Sequence, residues 1–549
     1  MKKTSDTLAQ LFKHSVERFG KRKALSFIGK EELTYEQLDE LKSKISFWLA
    51  GQGVAKGDKV AIIGENSPNW VAVYWGIVTM GATSVPLLPD FATHEIEKIL
   101  MHSDTKILFI SNRIWKRHHE ALRFTGKIVI LDNLTVFEEE EPITRYALRP
   151  EFQEFVPEEV IPDEIANIIY TSGTTGTPKG VMLSHGGLTY ECDKVSLVQD
   201  INERDVFLSL LPLSHVYENV LGLIYPMRQG ASIYYMSKLP TPTVLMDAMA
   251  KVRPTMILTV PLIIEKIYHS RIRPHLTRNG ILRGAMHIWP IRYFLNNMAG
   301  KKLKQAFGGR IRFFGIGGAS LNPMTEQFLR DARFPYSCGY GLTETSSLIF
   351  ASKVGSVKFQ SVGKPLNGLD YRIVKASEHK EEGEVLVRWK GNMKGYYKEP
   401  GLTASVLTEG NWFHTGDLAM MRNGNLFIRG RSKAMILGPS GENIYPEEIE
   451  SVLNRMDGVV ESLVCQIKGK IVAKVYLNTD ELSKKYEFFK QAATAHSADT
   501  HTRISQYLTD MQKKLNAHLN RYSQVAKMEL VHHPFEKTPT HKIKRHLYH

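Results

Sequence analysis

Three glycines, four threonines and a serine crowd the eleven positions from Tyr170 to Gly180 (YTSGTTGTPKG). A loop of this composition brings backbone N–H groups and hydroxyls close to phosphate oxygens, and Lys179 adds a mobile positive charge. It is suited to holding a polyphosphate. It is not a Walker A loop, which needs lysine directly after its second glycine; here Gly176 is followed by Thr177, Pro178 and Lys179. The bland alternative is a flexible Gly/Thr turn.

Further groups follow downstream. IRFFGIGGAS ends in Gly317, Gly318 and Ala319, small enough for a flat ring to lie against the backbone, but with Gly315, Gly317 and Ser320 it lacks the third glycine of a dinucleotide fingerprint. GYGLTE (Gly339 to Glu344) sets an aromatic ring, a hydroxyl and a carboxylate in one short stretch. Glu344 is the hard oxygen ligand that Mg²⁺ takes once or twice beside phosphate. In TGDLA, Asp417 has the chemistry to accept hydrogen bonds from two hydroxyls, and Arg431 of GRSK offers a permanent charge with forked donors. The chain closes on the basic segment EKTPTHKIKR (Glu536 to Arg545).

In this order the segments resemble the signatures of the adenylate-forming (AMP-binding) superfamily of acyl-CoA synthetases, nonribosomal adenylation domains and luciferases, and are most like bacterial long-chain fatty acid CoA ligases. The resemblance implies ATP, Mg²⁺ and coenzyme A as co-substrate. It puts Thr171, Ser172, Gly173, Thr174, Thr175 and Gly176 around the phosphates with Lys179, and Gly317, Gly318 and Ala319 along the adenine. It has Tyr340, next to Gly341, stack on that ring, Thr343 meet the α-phosphate, and Glu344 with Thr174 hold magnesium. Asp417 would take the ribose, Arg431 would lie beside the nucleotide, and Lys433 would be a hinge. Gly441 would border the CoA tunnel, and Lys542 would be the catalytic lysine of the first half-reaction. The closing segment departs from the family pattern at Glu536, where proline is usual, and at His541, where glycine is usual.

Attack of a carboxylate on the α-phosphate brings anion to anion, so neutralisation and alignment dominate, and Lys179, Lys542 and Mg²⁺ would supply the charge. A thiol must then reach the same carbonyl, which rotation of a small domain would permit. Asp205 to Met227 looks like the family's acyl segment, with His215 and Tyr217 near the carboxylate; His215 alone would read as a core histidine. Val252 to Ile272 and the insertion up to Gly300 look like long-chain enzymes, although the tryptophan usual after the TGD is missing. The alternatives are a fatty acyl-AMP ligase serving a carrier protein, a CoA ligase for a medium-chain or aromatic acid, and an adenylate-binding pseudoenzyme.

Positioning these groups calls for an α/β chain. Strand-like runs at Val60 to Gly64, Lys106 to Ser111, Lys127 to Asp132 and from Ile165 alternate with helical stretches, which implies parallel sheets. The expected plan is a large N-terminal domain (1–432) of parallel-rich sheets layered with helices, and a small mobile α+β domain (433–549), the length favouring more than one core. Leu8, Leu11, Phe12, Val16 and Phe19 predict an amphipathic first helix rather than a leader. Three scattered cysteines suggest neither disulfides nor zinc and fit a reducing cytoplasm. The net charge of +14 attracts polyanions, but no nucleic-acid module is present. Any membrane contact would be peripheral, its candidate Ile281 to Met298, for which a buried helix with a few exposed arginines is the favoured reading.

Overall fold

A computed structural model describes residues 6–148, 156–172, 178–238, 241–277, 280–375, 381–437, 443–454, 456, 458–478, 482–483, 498–538 and 543–548. Two large sheets dominate. In one, the strands Lys23–Phe27, Ser232–Tyr235, Val206–Leu208, Met256–Thr259, Phe313–Ile316 and Tyr336–Tyr340 run parallel in that spatial order, with antiparallel strands at both edges. In the other, Ile165–Ser172, Thr83–Leu87, Lys59–Ile63, Thr105–Ile110 and Lys127–Ile130 are parallel. The four runs read as strands from the sequence are all strands here, in the parallel arrangement their helical connections imply.

The helix Pro68–Thr79 is apolar on every side, and only Asn69 among its residues escapes full burial. A helix of that kind belongs inside a layered core. Ser67 accepts the Trp70 N–H to cap it, and Trp70 and Trp75 are fully buried. The first helix, Leu8–Phe19, is amphipathic as predicted: Thr7 caps it, and Leu8, Leu11, Phe12 and Phe19 face the core. An antiparallel sheet follows (Asp370–Lys375, Gly383–Arg388, Trp412–Arg422, Leu407–Thr408, Asn425–Arg431), then a three-stranded sheet of Val459–Ile467, Lys470–Leu477 and Lys527–Val531. The latter has its own apolar core, drawn from Ile436 to Met528. All three cysteines are free and buried.

The buried helix favoured for Ile281 to Met298 does not form. The helix Trp289–Ala306 buries only Asn296, Gly300 and Leu303, and turns Trp289, Ile291, Phe294 and Met298 outwards. Its inner face is small and polar: Arg292 and Asn296 hold Asp331 at 3.0 and 2.9 Å, and Gly300 packs on Ala332. No helix of the described residues is long and apolar enough to cross a membrane.

Candidate active site

Parallel strands end together, and ligands bind in the crevice beyond their carboxyl ends. Ser209 to His215 follows Val206–Leu208, Gly317 to Ala319 follows Phe313–Ile316, and Gly341 follows Tyr336–Tyr340. From the second sheet, Ile165–Ser172 delivers Thr171. That strand pairs antiparallel with Pro178–Ser184, with Thr171 opposite Lys179. Gly173, Thr174, Thr175 and Gly176, and the Ser172 side chain, lie outside the described residues.

All these ends open on one cavity of about 2800 Å³. Thr171, Lys179, His215, Gly317, Gly318, Ala319, Tyr340, Gly341, Thr343, Glu344, Asp417 and Arg431 line it. Gly441 and Lys542 lie outside the described residues, as does the Lys433 side chain, whose backbone forms a 3₁₀ turn with Ser432 and Ala434.

At one wall, the Tyr340 hydroxyl donates to Asp417 Oδ2 at 2.6 Å while Arg431 Nε lies 2.7 Å from Oδ1. Asp417 and Arg431 are register partners on adjacent antiparallel strands, which fixes their pairing. Burial, and then the charge of Asp417, push the Tyr340 phenol far up, so it stays a donor. At Gly341 an added Cβ would sit 1.4 Å from the Ser347 carbonyl oxygen, so only glycine fits.

At a second wall, Glu344 Oε1 accepts from the Tyr396 hydroxyl at 2.9 Å, and Lys179 Nζ stands 5.6 Å from the centroid of the same ring. Tyr396 thus holds a carboxylate and an ammonium at the same wall. Nothing near it in sequence marks it; it arrives because Gly395–Tyr396 pairs with Pro178–Ser184. No cluster of three or more His, Cys, Asp or Glu among the described residues could hold a metal alone. A lone carboxylate such as Glu344 suits a cation that takes most of its oxygens from phosphate and water.

The third wall carries His215. Its Nδ1 accepts the Tyr217 N–H at 3.2 Å, capping the turn Val216–Glu218. Asn66, which the sequence reading overlooked, clamps the preceding loop by donating to Ser209 Oγ and the Leu211 carbonyl and accepting from the Leu213 N–H. The room at Gly317, expected for a flat ligand ring, borders the Tyr217 ring: a Cβ there would lie 3.2 Å from it.

Ser209 Oγ in turn donates to Glu218 Oε1 at 2.5 Å, and burial pushes that carboxyl up to about 8. In the unfolded chain it ionises near 4.5, so the folded state holds the extra proton between those values. Stability therefore falls as pH rises from 4.5 through 8. Thermal midpoints from pH 5.5 to 8.5 should decline less steeply in Glu218→Gln than in the wild type; equal slopes would contradict the burial argument.

The closing segment is a hairpin. Lys537 and Ile543 form a bridge, the Lys544 N–H donates to the Glu536 carbonyl, and Thr538, Ile543, Lys544 and Arg545 line the cavity. Glu536, where the family has proline, donates its N–H to the Tyr548 hydroxyl at 2.7 Å, a bond proline lacks. Arg545 anchors the hairpin on Glu450 at 2.5 Å.

The family model described as AMP-binding enzyme matches residues 12–397. Among curated relatives, the peroxisomal long chain acyl-CoA synthetase 7 of Arabidopsis thaliana is 28% identical, over 98% of this chain and 84% of its own. Long chain acyl-CoA synthetase 1 of the same plant is 29% identical, over 87% and 80%. Similar solved folds include MatB of Rhodopseudomonas palustris with ATP (TM-score 0.77, 22% identity, 98% of both chains). The o-succinylbenzoate CoA synthetase of Bacillus subtilis with ATP and magnesium has a TM-score of 0.73 at 23% identity, again over 98% of both chains. A benzoate CoA ligase of Burkholderia xenovorans has a TM-score of 0.75 at 20% identity, over 98% of this chain and 99% of its own.

Proposed function

The chain belongs to the AMP-binding enzyme family of adenylate-forming ligases, and on that premise we propose that it converts a long-chain fatty acid, ATP and coenzyme A into acyl-CoA, AMP and pyrophosphate. The observation that carries this reading is that one cavity is lined both by the Tyr340–Asp417–Arg431 and Lys179–Tyr396–Glu344 groups and by the apolar side chains of Phe27, Met236, Leu245, Met246, Leu262 and Ile267.

Asp417 holds the ribose and Tyr340 the base, while Lys179 and Lys542 draw charge from the phosphates as the carboxylate, placed near His215, attacks the α-phosphorus. Magnesium, held by Glu344 and Thr174, would supply further neutralisation. Anion–anion repulsion is the main barrier to this step, so fixed cations act where charge accumulates. The core that begins at Ile436 supports a division at Lys433, about which the closing part would turn to admit the thiol.

Lys433→Pro fixes one backbone angle in the 3₁₀ turn. Thioester formation should drop by about tenfold or more while adenylation changes by less than about twofold; equal losses in both half-reactions would contradict a hinge. Initial rates of pyrophosphate release over acids from butyrate to stearate and over benzoate, with mass analysis of the thioester, test the acid. A maximum at long chains is expected. A maximum at benzoate or butyrate would overturn the assignment, and pyrophosphate release without acyl-CoA would favour a carrier-protein acceptor.

A further inference from the structure

Asp417 owes its direction to an irregularity in its strand. Trp412–Arg422 pairs antiparallel with Gly383–Arg388, Glu384 opposite Leu418 and Leu386 opposite His414, so Thr415, Gly416 and Asp417 stand where the partner strand has only Val385. Extra residues of this kind bend a strand and redirect a side chain, often beside an active site. They also take backbone groups out of the ladder, and those groups need other partners. On its other edge Asp417 stays in register with Arg431.

Two side chains supply the missing bonds. Thr415 Oγ1 donates to the Val385 carbonyl at 2.8 Å and accepts the Asp417 N–H at 3.1 Å. Glu384 Oε1 accepts the Gly416 N–H at 3.1 Å from across the pair, and its Oε2 lies 3.5 Å from Nδ1 of His414, where the bulge begins. Gly416, at a φ of 68° and without a side chain, has the widest backbone freedom of the three bulged residues, and it is the one Glu384 holds. Glu384, His414 and Asp417 all line the cavity. A carboxylate in a cavity that takes a triphosphate opposes binding by repulsion, so its presence calls for a compensating role. Asp417 and Glu344 have such roles in the proposed reaction; Glu384 has none.

We infer that Glu384 is a positioning residue for nucleotide recognition: by holding the Gly416 N–H, with His414 on its other oxygen, it sets the bulge that aims Asp417 at the ribose. The inference rests on the reading that Asp417 holds the ribose. Pyrophosphate release at saturating palmitate, with either ATP or 2′,3′-dideoxy-ATP varied, tests it. Wild type should prefer ATP in kcat/KM by about 10² or more, since only ATP offers Asp417 its hydroxyls. Glu384→Ala should lose about tenfold of that preference and raise KM for ATP about tenfold, while KM for palmitate stays within about twofold of wild type. Glu384→Gln keeps an acceptor for Gly416 and should stay within about threefold of wild type on both measures. General loosening of the fold would raise both KM values together, and the amide would not repair it. Should Glu384→Ala fail to fold, Glu384→Asp takes its place: one methylene shorter, it should lose the preference although it keeps the charge. Undiminished ribose preference in the shortened variant, or Glu384→Gln no better than it, would overturn the inference alone. A wild type that uses both nucleotides equally would instead refute the ribose reading of Asp417, and the inference with it.

Discussion

Lys542→Ala should bind ATP as the wild type does but form adenylate about 10² to 10³ times more slowly, the usual cost of removing one well-placed donor from a charged transition state. The reason lies in the hairpin between Glu536 and Lys544, whose flanks Thr538, Ile543 and Lys544 border the same cavity as Tyr340 and Glu344. Lys542 is the cation between Thr538 and Ile543 in the sequence and lies outside the described residues, and its place beside the phosphates is part of the proposed function. On the proposed assignment, ground-state binding of ATP would lean instead on Asp417 and the glycine-rich segment, so affinity should survive. Pyrophosphate release at saturating ATP and acid, with ATP binding followed separately, checks the division. Adenylate formation within about twofold of wild type would remove Lys542 from the mechanism.

Asp417→Ala should lower kcat/KM for ATP by about 10² to 10⁴, since two hydrogen bonds to an ionised acceptor contribute about 1.5–3 kcal/mol each. The fold should survive, because the partner Arg431 side chain is half exposed and regains water when its carboxylate is lost. Asp417→Asn keeps one acceptor and should fall between. Steady-state kinetics in ATP, beside a thermal melt, separates lost recognition from lost folding. An unchanged kcat/KM for ATP would mean that the ribose is held elsewhere.

What could be read from the sequence was whatever lies on one continuous stretch. The glycine-rich segment, GYGLTE and TGD each set several groups by covalent adjacency, while short apolar, β-rich runs placed the strands and helical spacing placed the first helix. Groups supplied by partners far along the chain were not legible: Tyr396 reaches Glu344 through strand pairing, and Asn66 meets Ser209 across 143 positions. Glu218 carries no mark in the sequence, and its character comes from burial and from Ser209, nine residues away. For Ile281 to Met298, bulky residues suggested a buried helix, but the inward positions are Asn296, Gly300 and Leu303, a pattern apparent only once Asp331 and Ala332 are in place.

The central claim, that a carboxylic acid is activated as its adenylate, is tested most directly by ATP–pyrophosphate exchange with palmitate in the absence of coenzyme A. The account predicts exchange that requires both acid and Mg²⁺, and, once coenzyme A is added, AMP and palmitoyl-CoA in equal amounts. ADP as the nucleotide product, or no exchange with any carboxylic acid, would contradict it.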